Sequence, residues 1–196
     1  MNLRAKEKLV VGLTGSILSG KSTALSYFAR SGAEVISADE LVHGLYQTPA
    51  VQKQLAKWFG SWEPAAVARC VFAHPAQRQK LEQYLHPKVL KLAAERIKHT
   101  DKQLVVFEVP LLFEAGWDRL TDLNIVVLGD EDSLPARLKQ RGLTLAEYKR
   151  RLAGQLPEHE KVRRADIVLA NRGSKTDLGL KIQRLCKGLE YIYGVK

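Results

Sequence analysis

Val10-Val11-Gly12-Leu13-Thr14-Gly15-Ser16-Ile17-Leu18-Ser19-Gly20-Lys21-Ser22-Thr23 is the stretch on which the fold turns. An apolar, β-branched run leads into G-x-x-x-x-G-K-[ST] over residues 15–22, and helix-forming sequence follows. Strand before and helix after is the context in which this spacing makes a phosphate-binding loop. Each fixed residue has a physical reason. Gly15 and Gly20 permit backbone conformations that turn consecutive N–H groups toward phosphate oxygens. The N-terminus of the next helix adds positive dipole at the same point. Lys21 neutralises charge on the β- and γ-phosphates of a nucleoside triphosphate, and the Ser22 hydroxyl is a Mg²⁺ ligand. Ser16, Ile17, Leu18, Ser19 and Thr23 complete the expected cradle.

Working outward, short apolar runs recur at residues 9–13, 34–36, 104–109, 123–128 and 166–169. Stretches of helical spacing separate them, at residues 21–30, 80–98, 133–140, 145–152 and 175–191. Continuous apolar strands alternating with helices predict an α/β fold, a parallel sheet of about five strands covered on both faces. Residues 39–100 break the rhythm: they hold no convincing strand and carry Pro49, Pro64, Pro75 and Pro87. They read as a helical insertion between the second and third strands. The expected organisation is one domain, with a core of residues 9–38 and 101–196, the insertion at 39–100 and a further helical stretch at about 137–165. Ligands of open α/β sheets sit beyond the carboxyl ends of the strands. An insertion leaving from such an end is placed to bind substrate.

The 196 residues carry a net charge of +10. Residues 137–196 hold 15 Lys or Arg against 6 Asp or Glu, so nearly all the excess lies in the last third. Such a field suits a triphosphate as well as it suits nucleic acid. No apolar run approaches the ~20 residues of a membrane span. The first apolar run enters the glycine-rich loop with no small-residue cleavage pattern. Cys70 and Cys186 match neither a metal nor a redox spacing. A cytoplasmic protein with reduced thiols is expected.

Beyond the loop, four segments follow in order: Val35-Ile36-Ser37-Ala38-Asp39, then Leu85-His86-Pro87, then Val109-Pro110-Leu111-Leu112-Phe113-Glu114. The fourth runs from Arg137-x-x-x-Arg141 through Arg151-x-x-x-Gln155, Lys161 and Ala165-Asp166 to Asn171-Arg172-Gly173. Together with residues 12–23 they resemble the dephospho-CoA kinases over about residues 9–180. The resemblance implies that ATP, with Mg²⁺, phosphorylates the ribose 3′-hydroxyl of dephospho-CoA, the last step of coenzyme A synthesis. It implies no membrane partner, nucleic acid as an improbable one, and a monomer or weak homo-oligomer.

Phosphoryl transfer needs charge neutralisation, positioning and an acceptor for the hydroxyl proton. Asp39, opening a helix just beyond the second strand, either accepts that proton or caps its helix. Glu108 either orients substrate or Mg²⁺ or is a strand-terminal surface acid. His86 either faces the acceptor, as the resemblance implies, or is a structural His at a helix-breaking junction. Leu111 joins the substrate set through the V-P-L-L-F-E run. Arg137 and Arg141, one turn apart, are read with Arg150, Arg151, Arg163 and Arg164 as lid arginines or as a solvated basic face, and Arg141 is the first choice for phosphoryl contact. Asn171 and Gly173 fall on the family's adenine-side loop by resemblance alone.

The sequence departs from the family pattern at defined points. Ser16 and Leu18 stand where glycine is usual, Ser37 where Asp is usual, and His43 where Arg is common. A Glu63-Pro64 pair in a shortened segment replaces the usual Asp-Arg pair before Val71-Phe72. Most of these lie toward the acceptor side. Two other readings stay open: a kinase for another small hydroxyl, and a nucleotide-binding regulator that contacts nucleic acid through its basic third.

Overall fold

A computed structural model describes residue 3 and residues 7–195. Strand β1 (Leu9–Gly15) is buried at all seven positions, which requires cover on both sheet faces. It lies at the centre of a parallel sheet of order β2-β3-β1-β4-β5, with β2 at Glu34–Ser37, β3 at Leu104–Glu108, β4 at Leu123–Gly129 and β5 at Ile167–Asn171. In register, Leu13 sits beside Glu108, Gly15 beside Val127 and Gly129 beside Asn171. The carboxyl ends of β3, β1, β4 and β5 therefore open along one edge, where the phosphate loop begins.

Two helices cover one face. Helix α1 (Lys21–Arg30) buries Ala24 and Phe28, one turn apart. Helix α9 (Lys175–Tyr193), the last in the chain, buries Leu178, Ile182, Cys186 and Leu189 along one stripe. They close over Leu9, Val11 and Leu13, the alternate residues of β1. Each large side chain so buried contributes about 1.5–3 kcal/mol relative to exposure. On the other face, Phe107 of β3 stacks on Trp117 at 5.9 Å. A capping box of Ser174 and Asp177 starts α9. Its hydrogen bonds hold the Asp177 carboxyl below its ordinary range.

The chain divides into two compact units, Met1–Ile36 with Ile97–Lys196, and Ser37–Arg96. The second unit is helical: α2 (Ala38–Tyr46), α3 (Pro49–Phe59), α4 (Pro64–Ala73) and α5 (Pro75–His99), which continues beyond it. Pro49, Pro64 and Pro75 each open a helix, where a missing N–H costs nothing. Pro87 departs from the expected break. It lies inside the 25-residue α5, with both Pro87 and Gln83, whose carbonyl loses its helical donor, on the exposed face, where the loss is least costly. Trp58 meets Tyr84 edge-on at 5.1 Å, and the Lys80 and Lys88 ammoniums lie over these two rings.

Three short helices stand between β4 and β5: α6 (Leu134–Gln140), α7 (Leu145–Leu152) and α8 (Glu158–Arg164). The first two match the sequence reading closely. The third escapes it, because seven residues with few apolar positions give no periodicity to read.

Candidate functional site

Two glycines shape the phosphate loop. A Cβ on Gly15 would lie 2.4 Å from the Val127 carbonyl oxygen and 2.7 Å from Ser19 Oγ, so only glycine lets β1 and β4 approach there. Gly20 has φ +101°, and a Cβ on it would meet Asn171 Nδ2 at 2.2 Å. Both pressures exclude a side chain. Lys21 Nζ donates to the carbonyls of Gly15 (2.9 Å) and Ser16 (3.0 Å), which holds its ammonium over the loop. Ser19 Oγ is buried and has no hydrogen-bond partner among the described residues. The loop therefore keeps an unmet polar group at the place the motif assigns to phosphate.

Several braces fix the loop from outside. Arg137 Nη1 donates to the Leu18 carbonyl at 2.8 Å, and its Nη2 to the Asn171 carbonyl at 3.3 Å. Asn171 Nδ2 donates to the Ser19 carbonyl at 2.9 Å. The Ile17 N–H donates to Gln155 Oε1 at 3.2 Å, and Ser16 Oγ to Glu158 Oε2 at 3.4 Å. Leu18 takes φ +63°, the only non-glycine among the described residues with positive φ. A cleft of about 680 Å³ opens beside the loop tip, with walls that include Leu18, Leu134, Arg137, Tyr148, Leu152 and Leu156. Burial, and then the Glu158 and Glu131 charges, push the Tyr148 phenol up, so it remains a neutral donor.

The remaining expected residues fall as follows. Asp39 is exposed in the first turn of α2, but the cap of that helix is Ser37, whose side chain accepts from the Glu40 N–H at 3.5 Å. The capping reading of Asp39 is therefore replaced. The residue that stands in for the usual Asp at position 37 does the capping, and Asp39 adds a charge that favours the helix N-terminus. Glu108 ends β3 beside Leu13 and is only 6% exposed, so it is a buried acid and not the surface acid of the second reading. Leu111 is half-buried in the turn after β3, where its carbonyl accepts from Ala115. His86 is half-buried in α5, and burial holds its imidazole below the ordinary value against an opposing pull from Glu82.

Arg137 and Arg141 lie one turn apart, the Arg141 N–H donating to the Arg137 carbonyl at 3.1 Å, but their surroundings differ. Arg141 is the residue that ends α6 and is exposed, whereas Arg137 reaches the loop. Arg150 and Arg151 are exposed at the end of α7. Gly173 is exposed just before the cap of α9, and Thr23 lies in the first turn of α1. Sequence reasoning assigned no role to Gln155 or Lys161, although both lay in the motif that carried the resemblance. Spacing names such residues but not their partners.

A Mg²⁺ ion is compatible with this donor set. Among the described residues no cluster of His, Cys, Asp or Glu could hold a metal unaided. Ser22 presents an exposed hydroxyl in the first turn of α1. Mg²⁺ takes one or two protein oxygens and fills the rest of its shell with waters and phosphate.

A sequence model of the dephospho-CoA kinases matches residues 9–177. Dephospho-CoA kinase of Symbiobacterium thermophilum is 41% identical over 179 residues, which cover 84% of this chain and 74% of that protein. Its counterpart from Fusobacterium nucleatum is 32% identical over 91% of this chain and 97% of its own length. The crystal structure of TT1252 from Thermus thermophilus superposes with a TM-score of 0.84 at 32% identity, covering 94% and 99% of the two chains. A shikimate kinase from Bacteroides thetaiotaomicron shares the fold with a TM-score of 0.53 at 17% identity, covering 93% and 98%. With more than four-fifths of its length matched, the chain belongs to the dephospho-CoA kinase family.

Proposed function

We infer that this chain transfers the γ-phosphoryl group of ATP to the ribose 3′-hydroxyl of dephospho-CoA. The observation that carries the reading is the braced phosphate loop, with the Lys21 ammonium already gathered at its mouth, in a chain whose family is shown. In the step, the 3′-oxygen forms a bond to the γ-phosphorus as the bond from that phosphorus to the β,γ-bridging oxygen breaks. ADP leaves with the bridging electron pair, and the hydroxyl proton goes to a base. Asp39 is the proposed base, an exposed carboxylate in the first turn of α2, just after β2 in the chain. Lys21 and the loop N–H groups hold the β- and γ-phosphates, and Arg141 meets the migrating charge. When bound, Mg²⁺ neutralises phosphate charge, and Ser22 would hold it, with Glu108 orienting the ion's water shell or the substrate.

On the acceptor side we assign His86 and Leu111, and on the adenine side Asn171 and Gly173 with Arg137. Residues 39–100 would act as the acceptor-binding insertion and residues 137–165 as the lid. Among the described residues no helix is long and apolar enough to cross a membrane. We place the enzyme in the cytoplasm, as a monomer or weak homo-oligomer whose partners are small molecules.

The test is a coupled assay of ADP release with purified protein, ATP, Mg²⁺ and dephospho-CoA. Acceptor-dependent ADP is the expected result. Its absence in a preparation that binds ATP would overturn the acceptor assignment, and a panel of other hydroxyl acceptors would then replace it. Asp39→Asn should lower kcat by about 10²-fold with ATP affinity nearly unchanged, the scale of a lost general base. Unchanged turnover would move the base elsewhere.

A further inference from the structure

Lys161 is the one lysine of the described residues whose side chain is wholly buried, at 0% exposure. Its Nζ lies 3.2 Å from Glu114 Oε1 and 3.5 Å from Gln155 Oε1. The same Glu114 oxygen accepts from the Leu156 N–H at 2.7 Å, and the same Gln155 oxygen accepts from the Ile17 N–H at 3.2 Å. Glu114 Oε2 is buried with no partner among the described residues. The result is an unbroken polar path of four groups. It starts in the turn after β3, crosses the segment between α7 and α8, and ends on the backbone of the phosphate loop tip.

Burying an ammonium and a carboxylate costs several kcal/mol per ion, offset by their attraction only where further hydrogen bonds engage both charges. Here those bonds come from the Leu156 N–H to Glu114 and from Lys161 to the Gln155 amide oxygen, and the second orients that amide. A free glutamine amide presents oxygen or nitrogen with similar ease. With the Lys161 ammonium on one side, only the oxygen-inward orientation is favourable, and that orientation makes Gln155 an acceptor for Ile17. The turned-over amide would set its own N–H₂ against both Lys161 and the Ile17 N–H, two donor–donor clashes. A buried charge pair thereby selects one state of a half-buried neutral side chain, which in turn fixes the loop tip.

We propose that Gln155, oriented by the Lys161–Glu114 pair, is a positioning residue of the phosphate-binding loop. It acts through the Ile17 N–H. Its effect is to hold residues 16–18 in the bound-like conformation before nucleotide arrives, so less ordering is required on binding. The inference rests on the reading of residues 15–22 as a triphosphate cradle, and is independent of which hydroxyl accepts the phosphoryl group.

The test compares Gln155→Leu, which removes the acceptor, with Gln155→Glu, which keeps an acceptor toward both Ile17 and Lys161. Hydrogen exchange is read at the Ile17 amide of the full chain, and MgADP affinity is measured by calorimetry. Q155L should exchange at Ile17 at least ~10-fold faster and bind MgADP about 10-fold more weakly, the scale of one lost hydrogen bond. Q155E should return both to within about threefold of the parent. In steady-state kinetics Q155L should raise KM for ATP and leave KM for the acceptor in place, a split that general loosening of the fold would not produce. Should Q155L fail to fold, Gln155→Asn, which withdraws the amide by one methylene, reads the same bond. Unchanged Ile17 exchange in Q155L, or a folded Q155E as defective as Q155L, overturns the proposal. Failure of the parent chain to bind MgADP would instead count against the cradle reading, while the Ile17 exchange would still decide the positioning role.

Discussion

Two groups of basic side chains share the last third of the chain and live in opposite surroundings. Lys161 and Arg137 turn inward, and Arg164, though exposed, is met by protein groups. Lys161 is buried on Glu114, Arg137 braces Leu18 and Asn171, and Arg164 pairs with Asp118 at 2.8 Å and lies over the Phe113 ring at 4.7 Å. Arg141, Arg150 and Arg151 turn outward around α6 and α7 and are exposed. In sequence the two groups look alike. In the fold, the first group has its charge met by protein carboxylates and carbonyls, so it stabilises and positions. The second keeps its field for whatever anion enters. A positive excess counted from composition therefore overstates the charge offered to a ligand.

The contrast breaks most sharply at Lys161. Lys161→Met leaves Glu114 buried without its cation, and should cost about 3–5 kcal/mol, or roughly 10 °C or more of Tm for a chain this size. Adding Glu114→Leu should recover most of the loss, because removing both charges also removes the desolvation penalty. A Lys161→Met protein as stable as the parent in denaturant titration would show the pair to be solvated in solution. The outward group should respond in kinetics instead. Arg141→Ala is expected to lower kcat by about 10²-fold, as loss of one transition-state charge contact does, with Tm moved by less than ~1 °C. Arg137→Ala should mainly raise KM for ATP, by about 10-fold. A reversal of these two patterns would exchange the roles of the arginines.

A smaller effect is expected in the helical unit. Burial holds His86 below the ordinary imidazole value of 6.5, with Glu82 pulling the other way. The unfolded chain then takes up a proton at a higher pH than the folded chain. Stability from this residue is full above about pH 6.5 and is lost as pH falls from there through the folded value. His86→Gln should flatten that part of a denaturation-versus-pH curve, and an unaltered slope would assign the acid sensitivity to another group.

Much of this architecture was legible along the chain because its signals are local. Continuous apolar runs such as residues 9–13 report strands buried on both faces, and Gly15, Gly20 and Lys21 report a loop whose requirements are met within eight residues. What escaped depends on partners far away in sequence. Gln155 meets Ile17 across 138 positions, and no spacing rule joins them. Arg137 and Arg141 could not be ranked by periodicity, because one turn of helix joins them and only the first reaches the loop. The Ser37 cap was local, and was hidden only because the family's usual Asp drew attention to an absent carboxylate. Pro87 reads as a break in any window, yet its exposed position on α5 lets the helix run on.

Leu18 sharpens the comparison at the smallest scale, since it belongs to the braced tip and is nonetheless the least comfortable residue in it. A leucine at φ +63° brings its Cβ against the following carbonyl, at a cost of about 1–2 kcal/mol, where the family usually has glycine. Two things hold it there: the Arg137 guanidinium on its carbonyl, and a half-buried side chain in the wall of the cleft. Leu18→Ala keeps the backbone strain and loses the side-chain contact, so it should destabilise. Leu18→Gly loses the same contact but relieves the strain, against a rise in unfolded-state entropy worth roughly 0.5–1 kcal/mol. Glycine should therefore come out more stable than alanine at this one position by about 0.5–1 kcal/mol in urea titration, the opposite of their order at an ordinary site. Were alanine the more stable, the loop in solution would hold residue 18 at negative φ. The brace from Arg137 would then act on a different tip conformation.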